Sequence, residues 1–518
     1  MDTASGPRRR LPPVLLGLLV AYLLVDLGVL AFATWADVHD FRDPRYPDSA
    51  TLLVVARAAQ SGPLYPDLNR PPYQVTPYGP LYYSLLSGPY RLAVKLGRNP
   101  VVFVRLAIVA FFLGCLGAIV LITRRVSGSA GAGLLAALLA AERMWEGGAA
   151  TVALRPDLVG LCLALLGVLL CLHEERRGFV TAAAVAAGLA LVCKQTFVAA
   201  PAAIVLWYLW RRRFRTAAWC LAVTGLTVAG GYALFIWREP LILQHFRAIS
   251  RPLLEYREAP SFVLDAGRRL AAPLLFLGIP FLWRRRDPRT VLLLCYALLA
   301  WGVAGVTILQ AGGATNYFYE PLMVSAPLAT LVLLRLDREQ RQGSVALVTL
   351  LAFLTVGYLG PQMTRATSEA KEIYELKVRG YATTRAAWER LRSVLAGRRL
   401  LALNPDVTMW SSVPELTDPY LMSVVERKGK WSYAPVIREL DQGTYEAVVL
   451  PPGWLGDMLR FRGVEHWPPA VVAAVRRRYA VACVMAGQEV RLPASGSELK
   501  QALLRAGCAE PDREQPPR

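Results

Sequence analysis

From Leu11 to about Pro361 the chain is a succession of apolar runs of about 17 to 25 residues, long enough to span hydrocarbon, and most are separated by short arginine clusters. Strands of a membrane barrel would alternate apolar and polar positions, and these runs do not. In lipid only helices and closed barrels satisfy every backbone group, so the pattern predicts a bundle of helices. The runs are Leu11 to Thr34, then roughly 79–96, 100–123, 129–147, 157–173, 179–193, 195–210, 216–237, 268–283, 290–309, 317–335 and 343–360.

The first run follows a basic N-terminus but is too long for a signal peptide and lacks a small-residue cleavage site, so a retained helix is expected. Asp26 lies within it, either facing the bundle interior as a functional group or as a satisfied structural carboxyl. Residues 37–78 form a polar segment rich in Asp, Pro and Tyr, with one amphipathic helix from Ser49 to Gln60 closed by Ser61-Gly62-Pro63. If every run crossed the membrane, Arg176 and Arg177 would fall outside. Treating 79–96, which carries Pro80, Pro89, Arg91 and Lys95, as an interfacial or re-entrant helix brings every arginine cluster inside. The expectation is about eleven spans with the N-terminus inside and the C-terminus outside.

The hydrophobic pattern ends near residue 364. Beyond it lie a charged amphipathic stretch (366–396), strand-like runs at Arg399 to Leu403 and Ala447 to Leu450, and a helix near Pro469 to Arg478. The predicted organisation is a membrane domain over 1–364 with an outer loop at 35–78, a small extracytoplasmic α/β domain over 365–510, and a disordered tail at 511–518.

Composition supports this. Of 518 residues 55% are hydrophobic, and the net charge is +20. A basic balance can mark a nucleic-acid binder, but here the charge gathers at Arg8-Arg9-Arg10, Arg124-Arg125, Arg176-Arg177, Arg211-Arg212-Arg213 and Arg284-Arg285-Arg286. That is the positive-inside pattern, and it excludes a phosphate-tracking groove. There is no Cys-x-x-Cys and no metal-ligand spacing among His39, His173, His245 and His466, so the sequence names no metal site, and use of a divalent metal stays open. Cys115, Cys162, Cys171, Cys193, Cys220 and Cys295 lie in or beside apolar runs as small hydrophobes. Cys483 and Cys508 share the tail, either as a disulfide or as two thiols.

Chemistry is concentrated at four places. The first outer segment carries Asp37, Asp40, Asp43 and Asp48, and a carboxylate at a membrane face can act as general base towards a hydroxyl. Asp48 opens a short helix that ends in Gly62-Pro63-Leu64-Tyr65. Pro77-Tyr78-Gly79-Pro80-Leu81-Tyr82-Tyr83 then opens the next helix. This arrangement resembles the GT-C glycosyltransferases, and within them the family of protein O-mannosyltransferases and the lipid A aminoarabinose transferase. The resemblance implies a catalytic acidic residue in the first extracytoplasmic loop and a polyprenyl-phosphate-linked sugar donor. Asp48 matches that position, with Tyr78 and Tyr82 as substrate-binding candidates. The Asp-Glu pair common in the family reads Asp48-Ser49 here, which keeps Asp40 and Asp43 as alternative bases.

Leu154-Arg155-Pro156-Asp157 stands at the outer end of a run. Arg155 there can bind a lipid phosphate and Asp157 orient a hydroxyl, or the group is a helix start with Pro and Asp in its first turn. Lys194, in Cys193-Lys194-Gln195-Thr196, divides a nearly uncharged stretch and either neutralises a phosphate or snorkels to the interface. Asn316, Tyr317 and Glu320 share a helical face on entry to a later run and suit sugar recognition, although an aromatic belt also accounts for the tyrosine. The Arg-x-Asp, Lys-Gln-Thr and Asn-Tyr-x-x-Glu elements are similar to those of a bacterial branch of the superfamily.

The resemblance implies an inverting membrane glycosyltransferase of the cell membrane. It would carry Asp48 and Asp157 as catalytic residues and hold the donor phosphate with Lys194 and Arg155. Its partners would be membrane lipids, a lipid-linked donor and an acceptor glycan, lipid or protein. The alternative is a polytopic transporter or lipid flippase, which predicts internal repeats and midplane broken helices. No repeat is visible, and the polar motifs collect at one face.

Overall fold

A computed structural model describes residues 13–40, 48–142, 144, 151–173, 176–250, 253–284, 287–310, 312–338, 360–412, 416, 418–455, 460–461 and 464–510. The expected run at 343–360, Asp43 and the tail at 511–518 lie outside the described residues. Among the described residues, fourteen α-helices make the first part: α1 (Pro13–His39), α2 (Asp48–Ala59), α3 (Pro80–Lys95), α4 (Pro100–Ser127), α5 (Ala130–Ala141), α6 (Asp157–Cys171), α7 (Arg177–Cys193), α8 (Ala199–Trp210), α9 (Phe214–Arg238), α10 (Ile242–Ile249), α11 (Ala259–Gly267), α12 (Ala271–Trp283), α13 (Pro288–Thr307) and α14 (Tyr319–Arg338).

Among the described residues, five helical segments are long and apolar enough to cross a membrane: 17–39, 100–127, 214–238, 288–307 and 315–335. Several other apolar helices of the bundle are shorter than their hydrophobic runs suggested, although α7 covers all of 179–193. Among the described residues of the run 129–147 the helix is Ala130–Ala141, and 195–210 gives four turn residues and then α8. At 1.5 Å per residue, helices of 12 to 17 residues reach about 18 to 26 Å, short of the roughly 30 Å hydrocarbon core. α3 is also short at 16 residues, and its apolar side chains Leu85, Leu92, Val94 and Leu96 are exposed.

Helix starts follow local chemistry. Asn99 Oδ1 accepts the Val101 amide at 3.0 Å ahead of Pro100, and Asp287 Oδ2 accepts the Thr290 amide at 2.9 Å ahead of Pro288. The arginine clusters described meet at one end of the bundle. Arg289 Nη1 donates to Arg125 O, Trp207 Nε1 donates to Pro288 O, and the Arg211 guanidinium lies 4.8 Å from the Trp207 ring centre. At the opposite end the outer loop, the α7–α8 turn and the α13–α14 turn converge with the tail.

The tail holds a four-stranded mixed sheet in the order Leu400–Ala402, Ala447–Leu450, Gln488–Pro493, Tyr479–Met485. Its faces alternate as strand geometry requires. Ala447 and Val449 enter a core with Trp388, Leu391 and Leu499, whereas Val448 and Leu450 enter one with Trp431, Tyr433 and Trp467. The charged stretch expected at 366–396 is two helices, Gly360–Ile373 and Tyr381–Leu395, joined by a wider turn. Cys483 and Cys508 form a disulfide, which resolves the two readings open from sequence.

The second of those cores is shared with the outer loop, because Leu68, Tyr73 and Val75, with Ala248 of α10, belong to it. Tyr73 pairs with Leu416, and Lys428 Nζ donates to Ile249 O and Ser250 O, capping α10 from the tail.

The outer loop itself is held by buried polar groups. Arg57 Nε donates to Pro63 O at 2.6 Å, Gln74 Nε2 to Ala50 O at 2.9 Å, and Tyr65 Oη to Tyr78 O at 2.8 Å. Glu239 accepts the amides of Leu64 and Tyr65. His245 is fully buried. Its Nδ1 accepts the Thr76 amide at 2.9 Å, so Nε2 carries the proton and donates to Pro66 O at 2.7 Å.

A second proton on His245 would point at the Thr76 N–H. Burial, with the nearby Arg57 charge adding to it, lowers the His245 pKa to about 4. The folded state therefore binds this proton more weakly than the unfolded chain. Stability from this residue is complete above about pH 6.5 and is lost progressively towards pH 4, with about 3 kcal/mol at stake. Thermal unfolding of the purified protein should show a falling midpoint across that window, and His245→Gln should flatten it. An identical pH profile in the variant would refute the assignment.

Candidate functional site

Four segments bring their polar residues to the end of the bundle opposite the arginines. Asp48 opens α2, where the helix N-terminus favours a carboxylate. It is buried, and its Oδ1 lies 3.7 Å from Arg155 Nε. Burial works against the charge of Arg155, but the nearby Asp48 carboxylate, with Tyr78, Tyr319 and Asp157, outweighs it and raises the guanidinium pKa.

Asp157 begins α6, and Lys194 closes α7. Lys194 Nζ donates to Asp157 Oδ1 at 2.7 Å, and both side chains are almost fully enclosed. Asp157 Oδ2 accepts from Asn316 Nδ2 at 3.0 Å, so both carboxylate oxygens are engaged. The Lys194 ammonium also lies 4.5 Å from the centre of the Tyr317 ring. Tyr296 Oη donates to Glu320 Oε1 at 2.9 Å. A small cleft opens here, with Asp157, Lys194, Asn316, Tyr317 and Glu320 in its lining beside Thr196, Phe197, Thr307 and Tyr319.

Two glycines let these segments meet. A Cβ on Gly79 would stand 1.9 Å from Val192 O and 2.8 Å from Cys193 O, while the Gly79 amide donates to Cys193 O at 3.0 Å. Any side chain there would push the outer loop off the end of α7, one residue before Lys194. A Cβ on Gly160 would stand 2.2 Å from the Phe197 ring, which clamps the α7–α8 turn onto α6 one helical turn below Asp157.

Several sequence candidates are thus brought together: Asp48 with Arg155, and Asp157 with Lys194, Asn316, Tyr317 and Glu320. Tyr78 and Tyr82 are not part of the cleft lining. Tyr82 is fully buried, 5.1 Å from Tyr83 ring to ring, and Tyr78 packs on both rings. Asp40 ends the loop side of α1, buried, where Arg105 Nη1 donates to the carbonyls of Asp37 and Asp40. Thr196 stood in the Lys-Gln-Thr element without a role, and Phe197, Thr307 and Tyr319 escaped the sequence reading because an isolated threonine and aromatics at helix ends carry no distinguishing spacing. Among the described residues no group of three or more His, Cys, Asp or Glu gathers as a metal ion would need.

No protein-family model and no curated protein sequence matches the chain. Its fold matches solved structures. The crystal structure of ArnT from Cupriavidus metallidurans bound to undecaprenyl phosphate aligns with TM-score 0.60 and 15% identity, over 92% of this chain and 98% of that one. The apo state of the same protein aligns with TM-score 0.58 and 16% identity, over 96% and 99%. ArnT is an aminoarabinose transferase of the GT-C superfamily, and this chain shares its fold from the membrane helices through the tail.

Proposed function

We propose that the chain moves a sugar from a polyprenyl-phosphate-linked donor to an acceptor hydroxyl on the extracytoplasmic face, with inversion. The observation that carries this is the pairing of Asp48 with Arg155 close to a second pair, Asp157 with Lys194, which lines a cleft at one end of an apolar bundle. The fold adds support, since a transferase sharing it has been crystallised with undecaprenyl phosphate. A carrier would place its charged site near the midplane.

In this scheme Asp48 takes the acceptor's proton while the acceptor oxygen attacks the anomeric carbon. The bond from that carbon to the phosphate oxygen breaks, and its electron pair leaves with the lipid monophosphate. Arg155 and the Lys194 ammonium face the growing negative charge, which is where fixed cations lower a barrier most. Asp157, with both oxygens engaged, positions Lys194 and takes no proton.

The tail and cleft lie on the extracytoplasmic side in this reading. The arginine clusters at the other end and the Cys483–Cys508 disulfide, a bond that persists in oxidising compartments, both support that orientation. Reporter fusions after Gly360 and after Arg518 should be active only outside the cytosol. Fusions active only inside would end both the orientation and the enzyme model.

A further inference from the structure

The proposed chemistry uses no residue of the tail, yet one tail side chain reaches the backbone that carries Asn316. Gly312 has φ +86°, a left-handed conformation, and the Tyr420 ring lies 3.5 Å from where a Cβ on Gly312 would stand. On its other side the same turn is held by the 253–255 strand segment. Glu255 N donates to Leu309 O at 2.7 Å, Leu254 bridges Gln310, and Leu253 packs with Tyr420. The turn then closes on itself through Gly313 N to Gln310 O and Tyr317 N to Ala314 O.

Tyr420 is a rigid backing. It is buried at the start of the helix Pro419–Arg427, whose cap Asp418 Oδ1 accepts the Leu421 amide at 3.0 Å. Tyr433 Oη donates to Pro419 O at 2.8 Å from inside the tail core, and the Tyr420 ring lies 5.4 Å from that of His466. From the turn the contacts run on, Asn316 to Asp157 and Asp157 to Lys194.

We propose that Tyr420 is a positioning residue of the cleft: the tail, through Tyr420 and the Gly312 turn, holds Asn316 on Asp157 and so fixes where the Lys194 ammonium points. Only the part of the test that uses a lipid phosphate rests on the function proposed above. Hydrogen exchange on the purified full chain tests the mechanical claim directly. Tyr420→Ala should speed exchange of the Gly313 and Tyr317 amides about tenfold and leave the strands 447–450 and 488–493 protected, and Tyr420→Phe should match wild type. If Tyr420→Ala also exposes the strands, Tyr420→Leu, which keeps the bulk, takes its place with the same expectation at a smaller size.

Undecaprenyl phosphate is the probe for the second arm, read by native mass spectrometry. Tyr420→Ala and Asn316→Ala should each weaken its binding about tenfold, and the double variant no further, because both act through one contact line. Unchanged exchange at Gly313 and Tyr317 overturns the proposal, as do fully additive losses of binding. Faster exchange in a protein whose wild type binds no lipid phosphate upholds the positioning role and refutes the donor reading instead.

Discussion

Asp48→Asn should lose about 10²- to 10⁴-fold in turnover while donor binding stays near wild type, because that is the range a general base supplies and the amide keeps the shape of the carboxyl. Asp48 is placed for the part: it is buried at the first position of α2, a helix fixed at its start by Gln74 and at its end by Arg57. Arg155 sits 3.7 Å away, an opposite charge beside the carboxylate and within the same end of the bundle. Asp67→Asn is the control, since Asp67 only caps a local turn and pairs with exposed Arg70. If Asp48→Asn keeps its turnover while Asp40→Asn or Asp43→Asn abolishes it, the base is misassigned. If all of Asp37, Asp40, Asp43 and Asp48 can be neutralised without loss, the base mechanism fails.

Lys194→Ala should destabilise the protein by about 3 to 5 kcal/mol, because it strands Asp157 as an unmatched buried charge. A lysine that merely snorkelled from a turn would tolerate the change within about 0.5 kcal/mol. Adding Asp157→Asn should recover much of the loss, as the amide needs no counter-charge and still meets Asn316. Unfolding measured in detergent on the single and double variants checks this. A single-variant loss under about 1 kcal/mol would sink the ion-pair argument. The stable double variant then isolates the phosphate role: undiminished binding of a lipid phosphate would remove Lys194 from the donor site.

These two residues also mark the boundary of what the sequence discloses. Apolar length and arginine spacing make the helical bundle legible, unusual polar residues at run ends single out Arg155, Asp157, Lys194 and Asn316, and the resemblance of the outer-loop motif singles out Asp48. Their pairing is not legible. Read along the chain, Arg155 and Lys194 look like two cations for one phosphate, whereas in space Lys194 is already matched to Asp157, 37 residues away, and Arg155 stands with Asp48. Tyr82 sits in a motif with Tyr78, but helical geometry turns its ring fully inward. Helix ends are not legible either: inside the apolar run 195–210 the chain turns through Gln195, Thr196, Phe197 and Val198 before α8 begins. The shared core of Tyr73, Leu416 and Trp431 joins segments more than 300 residues apart, a separation no local periodicity records.

The Asp157–Lys194 pair has a consequence for how the chain is built. α6 and α7 are consecutive, running away from that end and back to it, so the two charges close the open mouth of one helical hairpin. Held together, α6 and α7 present a neutral pair to an apolar surrounding, where either helix alone would present an unmatched ion. Asn316 is synthesised more than a hundred residues later and finds one oxygen of Asp157 still open to it. The hairpin alone thus supplies both charges of the pair, and the helix that completes the wall supplies only the neutral amide that engages the second oxygen.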